Sequence, residues 1–273
     1  MIAYTQPTET LYRVRPAHRT AQTIALVLPK GGVGKTTTTA SLAVELARHG
    51  SRVLCIDTDY QSDLTTALGV AISDDDPMIY EVLLNPALAT QLPIITTAFG
   101  VDLLPASRRL DGAQERLSNK YGREQLLKNG LRCARQQYDY ILIDSPPSIG
   151  LMTANALVAA DTIIVPLQAQ YLALNAMEKL NETIQDIQTI SPDLHIGGIV
   201  LTMVDKRTAL SREIGQAARA AYGALMFATE IPLSTYLAEA PSAGQPISSY
   251  APTSAGAAAY AALAEEVRSR WGN

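Results

Sequence analysis

Residues 23–39, TIALVLPKGGVGKTTTT, join an apolar run to a glycine-rich turn and then to a lysine followed by four threonines. TIALVL (23–28) has the length and content of a strand covered on both faces. The spacing of apolar residues from Lys35 to His49 predicts a helix, with Gly50 as its C-cap. A strand that passes through such a turn into a helix gathers backbone N–H groups and the positive end of the helix dipole around one point, where phosphate binds. The segment fits G-x-x-x-x-G-K-[ST] when counted from Pro29, which replaces the first glycine of that pattern. Lys30, Gly31, Gly32, Val33, Gly34, Lys35, Thr36 and Thr37 are therefore the candidate nucleotide-binding residues. Lys35 is expected to reach the β- and γ-phosphates, and the Thr36 hydroxyl to ligate Mg²⁺.

Outward from this loop, the same pattern repeats. RVLCID (52–57), VDLLPA (101–106), YDYILID (138–144), DTIIVPL (161–167) and HIGGIVLTMV (195–204) read as further buried strands. Helical spacing marks Tyr121–Gln137, Leu151–Ala160, Ala173–Ile190, Leu210–Tyr222 and Ser254–Trp271. Alternating strands and helices with short connections predict right-handed crossovers and one doubly wound, mostly parallel α/β sheet flanked by helices. The polar segment 1–22, with Arg13, Arg15 and Arg19, reads as an extension outside a single domain that covers 23–273.

Composition narrows the class. Of 273 residues, 47% are hydrophobic and 18% charged, which excludes wholesale disorder. Two distant cysteines, Cys55 and Cys133, suit a reduced, cytoplasmic setting better than secretion and offer no metal-ligand spacing. No apolar run approaches ~18 residues, so no membrane span is expected. The net charge of −4 gives no overall pull towards nucleic acid, and such affinity has to come from a local patch.

Acids complete the candidate site. Asp57 and Asp59 stand at and just beyond the end of the second strand, and Asp144 ends YDYILID. In a parallel sheet the carboxyl ends of strands face the ligand crevice, so the three carboxylates converge on the loop. Asp144 reads as the acid of the Mg²⁺ shell, acting through water. Asp57 is a further metal candidate, and Asp59 is placed to orient a water towards the γ-phosphate.

KGGVGKTTT, DTDYQ and IDSPPSIG together resemble the deviant Walker A ATPases of the ParA/MinD family, and the resemblance to ParA/Soj-type partition ATPases runs from about Thr23 to the C-terminus. It includes GIVLTMVDKRTALSREI and EAPSAGQPISSYAPTSAGAAAY. The resemblance implies ATP and Mg²⁺ as cofactors and a homodimer that sandwiches ATP. It also implies a signature lysine, Lys30, that crosses to the partner's nucleotide, and a glycine at 31 small enough for the facing protomer. Asp59 matches the position tied to hydrolysis, so Lys30, Lys35 and Asp59 form the catalytic set. Adenine contacts are expected around Ile231 and Pro232. Two departures stand out. DTDYQSDLT (57–65) carries Tyr60, Ser62 and Asp63 where the family has Pro, Gly and Asn. IPLSTYLAEAPS (231–242) carries Leu233 and Tyr236 where the family has arginines associated with DNA contact.

Two basic segments remain. Residues 107–135 hold eight Lys or Arg against three acids, a run that suits a solvated helix face as well as a phosphate-binding one. Arg207, with Lys206 and Arg212, matches a family position associated with non-specific DNA binding. The expected function is an ATP-dependent dimerising switch for DNA partitioning, nucleoid-associated and stimulated by a ParB-like activator. The alternatives are a related ATPase that positions a protein cargo through another adaptor, and a MinD-like membrane-cycling regulator. The latter needs a free basic amphipathic helix, whereas the last helix carries Glu265 and Glu266. An iron–sulfur reductase on the same fold needs bridging cysteines, and neither cysteine is suitably placed.

Overall fold

In the computed structural model, which describes residues 20–73, 75–170 and 173–272, the apolar runs become neighbouring strands of one sheet. The chain passes through Gln22–Leu26 (β1), Lys35–Arg48 (α1), Val53–Asp57 (β2), Asp63–Ala67 (α2), Ile79–Leu84 (α3), Ile95–Thr96 (β3) and Asp102–Leu104 (β4). It continues through Arg109–Ser118 (α4), Leu126–Gly130 (α5), Tyr140–Asp144 (β5), Leu151–Ala159 (α6), Thr162–Gln168 (β6), Ala173–Gln188 (α7) and Ile196–Val204 (β7). Ala209–Tyr222 (α8), Met226–Pro232 (β8), Thr235–Ser242 (α9), Ile247–Tyr250 (α10) and Ala255–Trp271 (α11) complete it.

The sheet order is β3-β4-β2-β5-β1-β6-β7-β8, with β3 antiparallel to β4 and the other neighbours parallel. Parallel strands need crossovers, and these helices cover both faces of the sheet. Ile24 and Leu26 of β1 pack in a core with Leu42 and Leu46 of α1 and Leu263 and Val267 of α11. Ala25 of the same strand, with Ile141 and Ile143 of β5, packs against Met152 and Leu157 of α6 and Leu180 of α7. The predicted doubly wound α/β sheet is therefore the observed one.

The predicted helix over Tyr121–Gln137 is broken into a 3₁₀ turn at Arg123–Gln125, the short α5, and a second 3₁₀ turn at Ala134–Gln136. Its backbone is diverted by Asn155 of α6, whose side chain accepts from Leu127 N–H at 3.0 Å and donates to Arg123 O at 2.8 Å. Gly130 also brings α5 against α3, where a Cβ would lie 2.6 Å from Val82. Residues 1–19 of the expected extension lie outside the described residues. Ala21 is buried and β1 starts at Gln22, so the ordered core reaches two residues into that segment. Strand β8 and the short helices α2, α3, α9 and α10 carry no periodic signal that the sequence reading found.

The far edge of the sheet yields a stability prediction. A Cβ at Gly198 of β7 would stand 2.3 Å from the ring of Phe227. That ring is fully buried, edge-on to Trp271 at 6.2 Å, with the Arg270 guanidinium over its face at 4.0 Å. With no slack on either side, Gly198→Ala is expected to cost about 1–3 kcal/mol through overpacking. Thermal unfolding followed by circular dichroism should show a midpoint lowered by several degrees, and Phe227→Leu in the same chain should recover part of the loss.

Candidate functional site

The loop between β1 and α1 turns at Gly32 (φ 70°) and Gly34 (φ 89°), both in the left-handed region that side chains resist. Gly34 is also the N-cap of α1 and supplies no side-chain cap, so the first-turn N–H groups of the helix are left to a ligand. Lys35 folds back over the loop and its Nζ donates to Leu28 O at 3.2 Å and Lys30 O at 2.9 Å. Burial lowers the pKa of this ammonium group, against the attraction of Asp144 and Asp59. The cation is thus held under the loop by carbonyls that a phosphate oxygen can replace.

Asp57 and Asp144 are register partners on β2 and β5, which places two carboxylates side by side. Thr36 Oγ1 donates to Asp144 Oδ2 at 2.7 Å, and Thr39, one helical turn later, donates to Oδ1 at 3.3 Å. Burial, reinforced by the charge of Asp57, pushes the Asp144 carboxyl up to about 8, against the Thr36 bond and Lys35. A divalent cation beside Thr36 is the natural partner for a carboxylate so desolvated. Among the described residues no three His, Cys, Asp or Glu form a metal cage. The Thr36–Asp144 pair instead fits Mg²⁺, which takes few protein ligands and completes its shell with water and phosphate.

Asp57 has a task that the sequence reading missed. Its Oδ2 accepts from both the N–H and the hydroxyl of Thr65, at 2.9 and 2.8 Å, and its Oδ1 from Asp59 N–H at 3.1 Å. Burial pushes its carboxyl up to about 7, against these bonds. It anchors α2 to the end of β2, and both of its oxygens are engaged. Asp59 is buried at the rim and accepts from Gln61 N–H at 3.1 Å. Ser62 (φ 59°) makes a left-handed bend, a conformation that a side chain resists, where the resemblance has glycine. Tyr60 is exposed beside it.

Next to the loop, a cavity of about 430 Å³ runs from Gly31, Lys35 and Thr36 past Asp59 to Ile231, Pro232, Leu237 and Tyr260. One end is cationic and rich in N–H groups and the other is apolar, a division that suits a ligand with phosphates at one end and a flat base at the other. Ile231 and Pro232, the residues expected near adenine, line the apolar end of this cavity. Tyr260 was not foreseen. It comes from α11, is fully buried, and its hydroxyl meets Thr38 Oγ1 at 3.0 Å. Thr202 was also missed; its hydroxyl donates to Val33 O at 2.9 Å and fixes the crown of the loop.

The basic residues are less free than their sequence suggests. In 107–135, Arg109 pairs with Glu81, Arg123 with Glu124 and Arg135 with Asp161. Arg116 donates to the Tyr80 hydroxyl and Lys120 to Leu84 O. Arg207 is 86% exposed but grips Asp205 with two bonds of 2.8 Å, which hold that carboxyl below its ordinary range. Lys206 faces Glu230 at 3.4 Å, and Arg212 donates to Lys206 O at 3.1 Å. Leu233 and Tyr236 leave an exposed apolar rim after β8.

A family model described as an AAA domain matches residues 21–196. The chain is 41% identical over 245 residues to the sporulation initiation inhibitor protein Soj of Bacillus subtilis, covering 89% of this chain and 97% of that protein. It is 39% identical over 250 residues to the chromosome partitioning protein ParA of Caulobacter vibrioides, covering 90% and 94%. A crystal structure of cobyrinic acid a,c-diamide synthase from Mycobacterium smegmatis with bound ADP and magnesium superposes with a TM-score of 0.79 at 35% identity, covering 92% of this chain and 95% of that one.

Proposed function

The chain belongs to the ParA/Soj family of P-loop ATPases, and on that premise we propose that it is an ATP-dependent switch for DNA partitioning that closes as a homodimer around ATP and Mg²⁺. The observation that carries the reading is the single cavity that joins Lys35, Thr36 and Asp59 to the apolar slot of Ile231, Leu237 and Tyr260. Lys35 takes the β- and γ-phosphates, Thr36 and, through water, Asp144 hold Mg²⁺, and Asp59 orients the attacking water. When bound there, Mg²⁺ would supply positive charge to offset that developing on the phosphates.

Lys30 is assigned to the partner's nucleotide, and Gly31 supports that assignment. Its φ is outside the left-handed region, and a Cβ there would meet only Pro147 at 3.9 Å, an ordinary contact. Nothing inside the protomer crowds a side chain at 31, so a constraint on its size would come from the bound nucleotide or from a facing molecule.

DNA retention is assigned to Arg207 with Lys206 and Arg212, and localisation to the nucleoid. The local ion pairs mean that DNA phosphates compete with Asp205 and Glu230 for these cations, which makes binding salt-sensitive and dependent on doubling in the dimer. The test is retention of the purified chain on random-sequence duplex DNA without nucleotide, with ADP and with ATP, at two salt concentrations. ATP-dependent, salt-sensitive retention is expected. Arg207→Glu should spare dimerisation and lower the salt slope by about two per dimer, one phosphate contact per protomer. Unchanged retention would move the surface elsewhere.

A ParB-like activator is the partner proposed to stimulate hydrolysis. A cargo-positioning role through another adaptor uses the same switch, and dimerisation with ATP but no DNA retention would favour it. A membrane-cycling role has less support. Leu263 and Val267 of α11 are fully buried and Trp271 packs on Phe227, so the last helix has no apolar face to spare. No helix among the described residues is long and apolar enough to cross a membrane.

A further inference from the structure

Lys30 is held within its own protomer: its Nζ donates to Oε1 of Gln168, 3.4 Å away. The other end of that amide, Nε2, donates to the thioether of Met203 at 3.1 Å. Gln168 ends β6 and pairs in register with Thr202 of β7, and Met203 follows directly. Met203 has φ 54°, a left-handed conformation that residues with a Cβ resist. Strain of this kind, beside a ligand cavity that Met203 itself lines, is retained where surrounding contacts hold it.

The ends of β6 and β7 therefore hold the loop at two points, at Lys30 through Gln168 and at Val33 through Thr202. The two points differ in strength. The Thr202 bond is short and buried, whereas the Gln168 bond is long and partly exposed. A thioether is a weak acceptor, so Met203 orients the amide without locking it. The amide faces Lys30 with its oxygen because its NH₂ group would repel an ammonium. Among the described residues no carboxylate pairs with Lys30, so Gln168 is the side chain that sets its direction.

We infer that Gln168 is a positioning residue that parks Lys30 in the nucleotide-free protomer and must release it before the ATP dimer closes. The inference rests on the reading of Lys30 as the lysine that crosses to the partner. If crossing carries the Lys30 ammonium out of reach of Gln168, the contact that holds it at home opposes closure by its own free energy. Replacing the amide should shift closure in opposite directions, according to the charge of the replacement.

The experiment uses the full chain with Gln168→Leu, Gln168→Glu and Lys30→Ala. Two quantities are read: the acylation rate of the Lys30 amine without nucleotide, by mass spectrometry, and the ATP concentration that makes half the chain dimeric, by light scattering. Gln168→Leu should speed acylation and lower the dimerisation midpoint roughly threefold to fivefold, the size of one hydrogen bond to a charged group at a partly exposed site. Gln168→Glu should slow acylation and raise the midpoint. Unchanged acylation in both variants overturns the parking role, and a raised midpoint in Gln168→Leu would mean that the amide works in the closed dimer. Mg-ADP affinity is measured alongside, and a Gln168→Glu shift wholly matched by weaker ADP binding also overturns it. Should Gln168→Leu fail to fold, Gln168→Asn, whose amide falls one methylene short of Lys30, takes its place. If Lys30→Ala dimerises as well as the native chain, the crossing role of Lys30 fails, while the acylation result still reports on the parking contact.

Discussion

Lys35→Ala is expected to lower the affinity for Mg-ATP by at least ~100-fold, equivalent to about 2.7 kcal/mol. Lys35 is the cation at the closed end of the cavity, buried beneath the loop and already drawn towards Asp144 and Asp59. Its partners in the nucleotide-free protomer are the carbonyls of Leu28 and Lys30, which place the ammonium at the loop before any ligand arrives. A charge-assisted bond to phosphate from a group that is already placed costs little reorganisation, which is why its removal is expected to be severe. Calorimetric titration with Mg-ATP is the check, and near-native affinity would contradict the assignment. The fold should survive, because the loop is also held by Thr202 to Val33 and its shape by Gly32 and Gly34.

Asp59→Ala is expected to slow ATP hydrolysis by at least ~100-fold, the lower bound for losing a positioned base or water-orienting group. ATP binding should persist, so the chain should accumulate as an ATP dimer, visible by light scattering beside a phosphate-release assay. Asp59 sits at the rim of the cavity, past the strand end that carries Asp57, and lines the space next to Lys35. Because its Oδ1 also accepts from Gln61 N–H, alanine removes a turn contact as well as a carboxylate. Asp59→Asn keeps that acceptor and separates the two effects. Slow hydrolysis in both variants supports the catalytic role, whereas normal turnover in the asparagine variant removes the carboxylate from the mechanism.

These two positions are expected to divide binding from turnover, and the geometry gives a reason why they need not fail together. Lys35 approaches the loop from beneath, among backbone carbonyls. Asp59 stands on the loop after β2, whose course depends on Asp57 anchoring α2 and on the bend at Ser62. On the proposed function that second loop is the segment expected to sense the γ-phosphate, and a shift in it need not undo the first.

Much of this was legible in the sequence because it depends on neighbours along the chain. The glycines at 32 and 34 set the loop through their own backbone angles, and the strand before and helix after it follow from local apolar content. Asp57, Asp59 and Asp144 could be placed together because parallel strands all point their carboxyl ends one way. The doubly wound sheet followed from the alternation of the same elements.

What the tertiary structure decided are contacts between residues far apart in the chain. Tyr260 reaches Thr38, and Gln168 reaches Lys30, because strand order and helix packing bring α11 and the end of β6 beside the loop; no local pattern records either. The helix expected over Tyr121–Gln137 gave way to short turns because Asn155, from another helix, offered its backbone better partners. The basic runs lost much of their free charge for the same reason, as acids such as Glu81, Asp161 and Glu230 folded against them. Sequence fixes conformations that depend on a residue and its near neighbours. Which side chains meet, and whether a charge stays free, depends on packing that only the folded chain defines.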